Sequence, residues 1–97
     1  MLKRAHLGHL GRAIKSLEEA LVSKDGVNPT TVTKYLESVN IKFQKVQEDS
    51  NNLLEEFTEQ GEIDKEVEFI DELQDKVIDV KTRAEATLDM IKELKED

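Results

Sequence analysis

The sequence predicts an all-α fold, an antiparallel three-helix bundle with coiled-coil-like packing. Apolar residues recur at steps of three and four in three segments, which is the spacing of one helix face. Two short polar breaks separate the segments. Only four of the 97 residues are aromatic and one is proline, whereas a sheet would need more β-branched and aromatic residues and more turn signals. We expect residues 1–97 to form a single helical bundle domain.

The first segment predicts a helix over residues 2–24. Its apolar face repeats in steps of three and four through five residues: Leu7, Leu10, Ile14, Leu17 and Leu21. The face ends at "SKDGVNP", where Lys24 suits the last helical turn and Gly26 suits the left-handed conformation that ends many helices. The apolar face continues past the small residues Gly8 and Gly11. We therefore expect that they either allow another helix to pack closely or are simply tolerated within the helix, and that they do not bind a ligand.

The second segment predicts a helix over residues 29–60. Asn28 or a neighbouring threonine can cap it, and Pro29 fits its first turn. Its apolar face follows the positions Val32, Tyr35, Val39, Phe43, Val46, Ser50, Leu53 and Phe57. Gly61 in "EQGEID" is predicted to mark the second break. One glycine costs a helix only about 1 kcal/mol, so the alternative is a two-helix hairpin in which the last two segments fuse through Gly61.

The third segment predicts a helix over residues 63–95. Asp64 can cap its start, while Lys92 and Lys95 suit its end. Its apolar face follows the positions Ile63, Val67, Ile70, Leu73, Val77, Val80, Ala84, Leu88, Ile91 and Leu94. Because short links join all three segments, consecutive helices are expected to be antiparallel.

The charge distribution and the lack of long apolar runs indicate which partners and which cellular location to expect. The net charge is −8, but residues 1–24 carry five basic and two acidic side chains, so that segment has a net charge of +3 and the remainder −11. Such an acidic chain is not expected to bind nucleic acid. No run approaches the roughly 20 apolar residues of a membrane-spanning helix, and there is no cysteine. We expect an intracellular, cytoplasmic protein. Membrane contact through the basic first helix is a less favoured alternative, because the bundle needs the same apolar face.

No pattern in the chain predicts catalysis, a cofactor or a metal. His6 and His9 in "HLGHLGR" lie three apart, but a metal site would need further ligands, and the chain has no cysteine or third histidine. Acidic pairs such as Glu48-Asp49 fall mostly between the apolar positions and are expected to be solvated. A narrow bundle offers no cleft for paired acid–base catalysis. The sequence therefore predicts a non-enzymatic protein.

Helix lengths predict where apolar side chains remain uncovered. At ~1.5 Å per residue the first helix is shorter than the other two, so residues of roughly 52 to 69 lack a third helix beside them. The apolar side chains in this region are a candidate interaction surface: Leu53, Leu54, Phe57, Ile63, Val67 and Phe69. They pack as a two-stranded coiled coil or against further chain before Met1, or they bind another copy or another protein.

The order of features resembles the helical N-terminal Gag region of BEL/Pao-type LTR retrotransposons. The resemblance covers nearly the whole chain: a basic, leucine-patterned helix "LKRAHLGHLGRAIKSLEEAL", then "YLESVNIKFQKVQEDSNNLLEEF", then an acidic helix ending "LDMIKEL". Its most specific part is an aromatic-plus-Val-Gln step formed by Phe43, Val46, Gln47 and Glu48. Leu2–Arg4 match the basic opening of that family. The chain departs at Asn40, where a tryptophan is expected, and at Ser50, where an aliphatic residue is expected.

The resemblance implies a segment of a structural polyprotein that self-associates during particle assembly. It supplies no binding residues. The partner is then another copy of the chain or another helical protein. The alternative function is a monomeric partner-binding three-helix module, similar to a spectrin-type repeat or the regulatory bundle of a SNARE protein, with a groove for another protein's helix.

Overall fold

A computed structural model describes residues 2–23 and 26–95, with side chains for residues 5–23 and 26–94. The three helices are α1 (Leu2–Leu21), α2 (Pro29–Glu56) and α3 (Gln60–Lys95), and the described residues include no strand. All three helices pack against one another in an elongated body of 58 × 20 × 18 Å. The predicted all-α three-helix bundle is confirmed.

The link between α1 and α2 differs from the prediction at its first end. α1 ends at Leu21, not at residue 24, and Lys24 lies outside the described residues. Gly26 has a φ of 103°, the left-handed conformation expected of it. Asn28 caps α2, because its side-chain oxygen accepts hydrogen bonds from two backbone N–H groups, of Thr30 at 2.9 Å and Thr31 at 3.3 Å.

The link between α2 and α3 lies earlier than predicted. α2 ends at Glu56, and Phe57 adopts an extended conformation while its N–H donates to the carbonyl of Leu53 at 3.0 Å. The link comprises residues 57–59, so the fused two-helix alternative is wrong. Its β-branched Thr58 loses side-chain freedom in a helix, which favours a break at this point.

The glycine that was predicted to make this break lies inside α3. Because α3 begins at Gln60, Gly61 belongs to its first turn. The predicted cap at Asp64 is also wrong, since this residue lies within the helix and accepts a hydrogen bond from the side chain of Gln60 at 2.9 Å.

The core follows the predicted apolar faces with two exceptions, both in α3. Nine buried side chains form it, all at or beside predicted positions: Leu10, Ala13, Leu17, Val32, Val39, Val46, Val77, Val80 and Ala84. One lies at the end of the helix, where Leu94 was predicted on the apolar face but is 72% exposed, and the other lies early in the helix, where Glu66 is buried and Val67 is 44% exposed. Residues 66 and 67 lie four and three positions before Ile70, and both spacings place a residue on the same helix face as Ile70. In the structure the centre of the buried face passes through residue 66 rather than 67.

Candidate interaction surface

Two contacts between helices fix how far α1 extends along the hairpin of α2 and α3. His6 Nδ1 pairs with Asp49 Oδ2, and Arg83 donates to a carboxylate oxygen of Glu18 at 3.4 Å. α1 is therefore antiparallel to α2 and parallel to α3. Extending α1 back to Leu2 at ~1.5 Å per residue reaches the level of about residue 53 on α2 and about residue 67 on α3. Residues 53–67, named here the hairpin tip, consequently have no α1 beside them.

Buried polar side chains lie near the base of the hairpin tip. Among the described residues the buried polar side chains are Ser50, 2% exposed, and Glu66, 6% exposed. The Oγ atom of Ser50 has no hydrogen-bond partner. The side chains of the pair His6 and Asp49 are 24% and 16% exposed. We call Ser50 and Glu66 with this pair the polar layer, because they come at the end of the apolar core.

The six predicted interaction residues lie outside the core. None belongs to the buried cluster or to the partly buried residues that pack against it: Leu53, Leu54, Phe57, Ile63, Val67 and Phe69. The first four are half-buried, whereas Val67 and Phe69 are 44% and 36% exposed.

The structure does not bring all six side chains onto one surface. Val67 and Phe69 are two residues apart on a helix, about 200° in rotation, and so lie on different sides of α3. Phe69 also lies beyond the hairpin tip. Phe57 lines a shallow cavity of about 280 Å³ with three charged neighbours, Glu62, Lys65 and Glu66. The tip thus combines apolar side chains with a charged rim.

A second surface, a groove between α1 and α3, was not predicted. It has a volume of about 390 Å³, an apolar floor and charged edges, and is lined by Leu7, Leu10, Gly11, Ile14, Glu18, Leu73, Lys76, Asp79, Val80 and Arg83. A Cβ atom added at Gly11 would have nothing within 4 Å, and one at Gly8 would meet only the end of the Arg12 side chain at 3.9 Å. The two glycines are therefore tolerated in α1 and do not mark a tight helix contact.

A third surface is a basic cavity on the outer side of α1 and α2. Its volume is about 170 Å³, and its lining is His6, His9, Ile41, Lys42 and Lys45. Asp49 approaches His6, yet no three histidine, aspartate or glutamate side chains of the described residues are arranged to hold a metal ion. The arrangement can instead bind an anionic group through its N–H donors.

Comparisons with known proteins add no assignment to these surfaces. The chain matches no protein-family model, no curated protein and no solved structure. None of the helices in the described part of the chain combines the length and apolar character needed to cross a membrane.

Proposed function

We propose that this chain is a non-enzymatic structural module that self-associates through the hairpin tip. The observation that supports the proposal is the position of the tip side chains. Leu53, Leu54, Phe57 and Ile63 are only half-buried and do not join the core cluster, so a second molecule can bury them further. Full burial of a large apolar side chain contributes about 1.5–3 kcal/mol, and burying the part of each of these four side chains that is still exposed contributes a share of that amount to association.

The proposal includes the class of protein and its location. A segment of a Gag-like structural polyprotein, acting in the cytoplasm, is the role that the sequence resemblance implies. Self-association is the property that such a segment needs. The experiment below tests that property and does not depend on the family assignment.

Light scattering behind size exclusion, over a hundredfold range of concentration, tests the proposal. We expect the mass to rise from 11.1 kDa toward a dimer or larger species. Phe57→Asp should abolish the rise and leave helicity nearly intact, because Phe57 ends α2 in an extended conformation that aspartate also adopts. Thr82→Asp is the matched control, since it adds the same charge at an exposed residue of α3 that lies outside the hairpin tip.

A core substitution separates association from folding. Leu17 is 0% exposed, so Leu17→Asp buries a charge and should unfold the bundle, with loss of the circular dichroism signal at 222 nm. If Phe57→Asp unfolds the chain as Leu17→Asp does, the tip is part of the folding core and the proposal is wrong.

The groove between α1 and α3 supports a second candidate function, a monomeric module that binds a helix of another protein. Its floor includes Leu7, Ile14 and Leu73, and its charged edges include Lys76 and Asp79. An apolar floor between charged edges is the form of surface that receives an amphipathic helix. A mass that stays at the monomer over the whole concentration range would favour this function over self-association.

A further inference from the structure

We infer that the basic cavity between α1 and α2 binds the acidic hairpin tip of a second copy of this chain. The inference rests on the proposed self-association and specifies its geometry, namely tip to cavity rather than tip to tip. It follows from the lining of the cavity, from the charge of the tip and from the distance between the two surfaces.

The basic cavity differs in charge from three other surfaces of the described residues. Its lining contains two imidazole and two ammonium groups and no carboxylate, although the chain has 22 acidic and 14 basic residues. The nearby carboxylate of Asp49 is paired with His6. At least one carboxylate lines each of the three other surfaces: the groove between α1 and α3, the cavity at Phe57 and a shallow depression beside Pro29. Lys42 and Lys45 form no salt bridge within the described residues. Their charges are therefore available to an external anion.

The same cavity has an apolar side chain at its edge. Ile41 is 58% exposed and lines the cavity beside Lys42 and Lys45. A small inorganic anion would leave this side chain in water, whereas a partner that combines carboxylates with apolar side chains would cover it. The lining thus favours an acidic, partly apolar protein surface.

The hairpin tip has that composition. Residues 53–67 contain six acidic side chains and one lysine, a net charge of −5. Glu55, Glu56, Glu59 and Glu62 are exposed and form no salt bridge in the described part of the chain. Half-buried Leu54 and Phe57 lie among them. Two tips in contact would bring two charges of −5 together, whereas a tip in the basic cavity pairs opposite charges.

The tip of one molecule cannot fill its own cavity. Lys42 and Glu56 lie on the same helix, 14 residues and about 21 Å apart. The contact must therefore be made between molecules, and it joins two different surfaces. Each molecule retains a free tip or a free cavity after pairing, so such a contact produces open-ended chains of molecules unless a ring closes.

A complementation experiment with two variants tests the inference. The cavity variant Lys42→Gln/Lys45→Gln retains a native tip, and the tip variant Phe57→Asp retains a native cavity. We expect each alone to associate at least about tenfold more weakly than the unaltered chain, since each loses one side of the contact. Mixed in equal amounts, they should form a complex of about 22 kDa that does not grow further, because only one native tip and one native cavity can pair.

The control variant Lys15→Gln/Lys92→Gln removes the same charge from exposed positions of α1 and α3 that line none of the surfaces described here, and it should associate like the unaltered chain. Added salt should weaken association of the unaltered chain, because screening reduces attraction between opposite charges; contact between two acidic tips would instead strengthen with salt.

The inference is wrong if the cavity variant associates as the control does, if the mixture stays monomeric, or if salt strengthens association; self-association itself would then stand. An unaltered chain that stays monomeric would overturn both proposals. Inorganic triphosphate is the probe for an alternative occupant: if it shifts the amide resonances at Lys42 and Lys45 while the cavity variant still self-associates, the cavity is a phosphate site and the inference fails.

Discussion

Replacing Ser50 by alanine should stabilise the fold. Ser50 is 2% exposed, and its hydroxyl has no hydrogen-bond partner although it lies on the apolar face of α2 four residues after Val46, which is 0% exposed. A buried polar group without a partner costs about 1–3 kcal/mol, and alanine removes it without leaving a large cavity. Alanine also favours a helix over serine by up to about 0.5 kcal/mol.

We expect the Ser50→Ala change to raise the free energy of unfolding by about 1–3 kcal/mol. For a chain of 97 residues, each kcal/mol corresponds to a rise in Tm of roughly 4–8 °C. Urea unfolding followed at 222 nm, at a concentration where the chain is monomeric, measures the difference directly.

Ser38→Ala is the matched control, since Ser38 lies on the same helix and is half-buried. It should show only the effect of helix propensity, about 0.5 kcal/mol or less. If Ser50→Ala gains no more than Ser38→Ala, or loses stability, then the hydroxyl of Ser50 makes a hydrogen bond, for example to an ordered water, and the reasoning fails.

Glycine substitutions at Gly26 and Gly61 should change stability in opposite directions in the same urea experiment. Gly26→Ala should destabilise by about 1 kcal/mol or more, because a φ of 103° is strained for any residue with a Cβ atom. Gly61→Ala should stabilise by about 0.5–1 kcal/mol, because Gly61 is helical and has open space around it. Equal effects would contradict this assignment. Arg83→Ala should change stability by no more than about 0.5 kcal/mol, since Arg83 and its partners Glu18 and Asp79 are each about half exposed or more; a clearly larger loss would show that the bridge supports the packing of α1 on α3.

The core was predictable from the sequence because helical periodicity alone decides which side chains face inward. The apolar positions of each helix recur at steps of three and four. Four of these side chains are at most 1% exposed: Leu10, Leu17, Val39 and Val80. The cap at Asn28 was equally predictable, since a side-chain oxygen before a proline-started helix satisfies N–H groups that have no partner within the helix. Both predictions depend only on neighbours along the chain.

The break after α2 was misplaced because glycine was given more weight than packing. Gly61 costs a helix too little to end it, and a Cβ atom there would meet nothing, so the backbone has no need of glycine at that position. α2 ends instead at Glu56, and the link of residues 57–59 lies beyond the N-terminus of α1, where little packing holds the backbone in a helix.

The surfaces were only partly predictable, because they depend on how helices are offset and rotated. The hairpin tip follows from helix lengths, which the sequence shows. The groove between α1 and α3 and the pairing of His6 with Asp49 depend on the offset between helices, and periodicity carries no information about that offset. The burial of Glu66 in place of Val67 has the same origin, since a rotation of one residue decides between them.

If the chain self-associates as proposed, the polar layer accounts for how folding and association can remain separate in one small bundle. The apolar core and the apolar side chains of the hairpin tip follow the same periodicity, and on sequence alone they form one continuous face. Ser50 and Glu66 interrupt that face close to the level at which α1 begins. Buried polar groups weaken a core but favour one alignment of the helices, because shifting the helices would place these groups in apolar surroundings. A continuous apolar face would tie the tip to the core, so that a substitution such as Phe57→Asp would alter both. With the polar layer between them, the core supplies stability, and the proposed binding of a partner at the tip would not require the bundle to unfold.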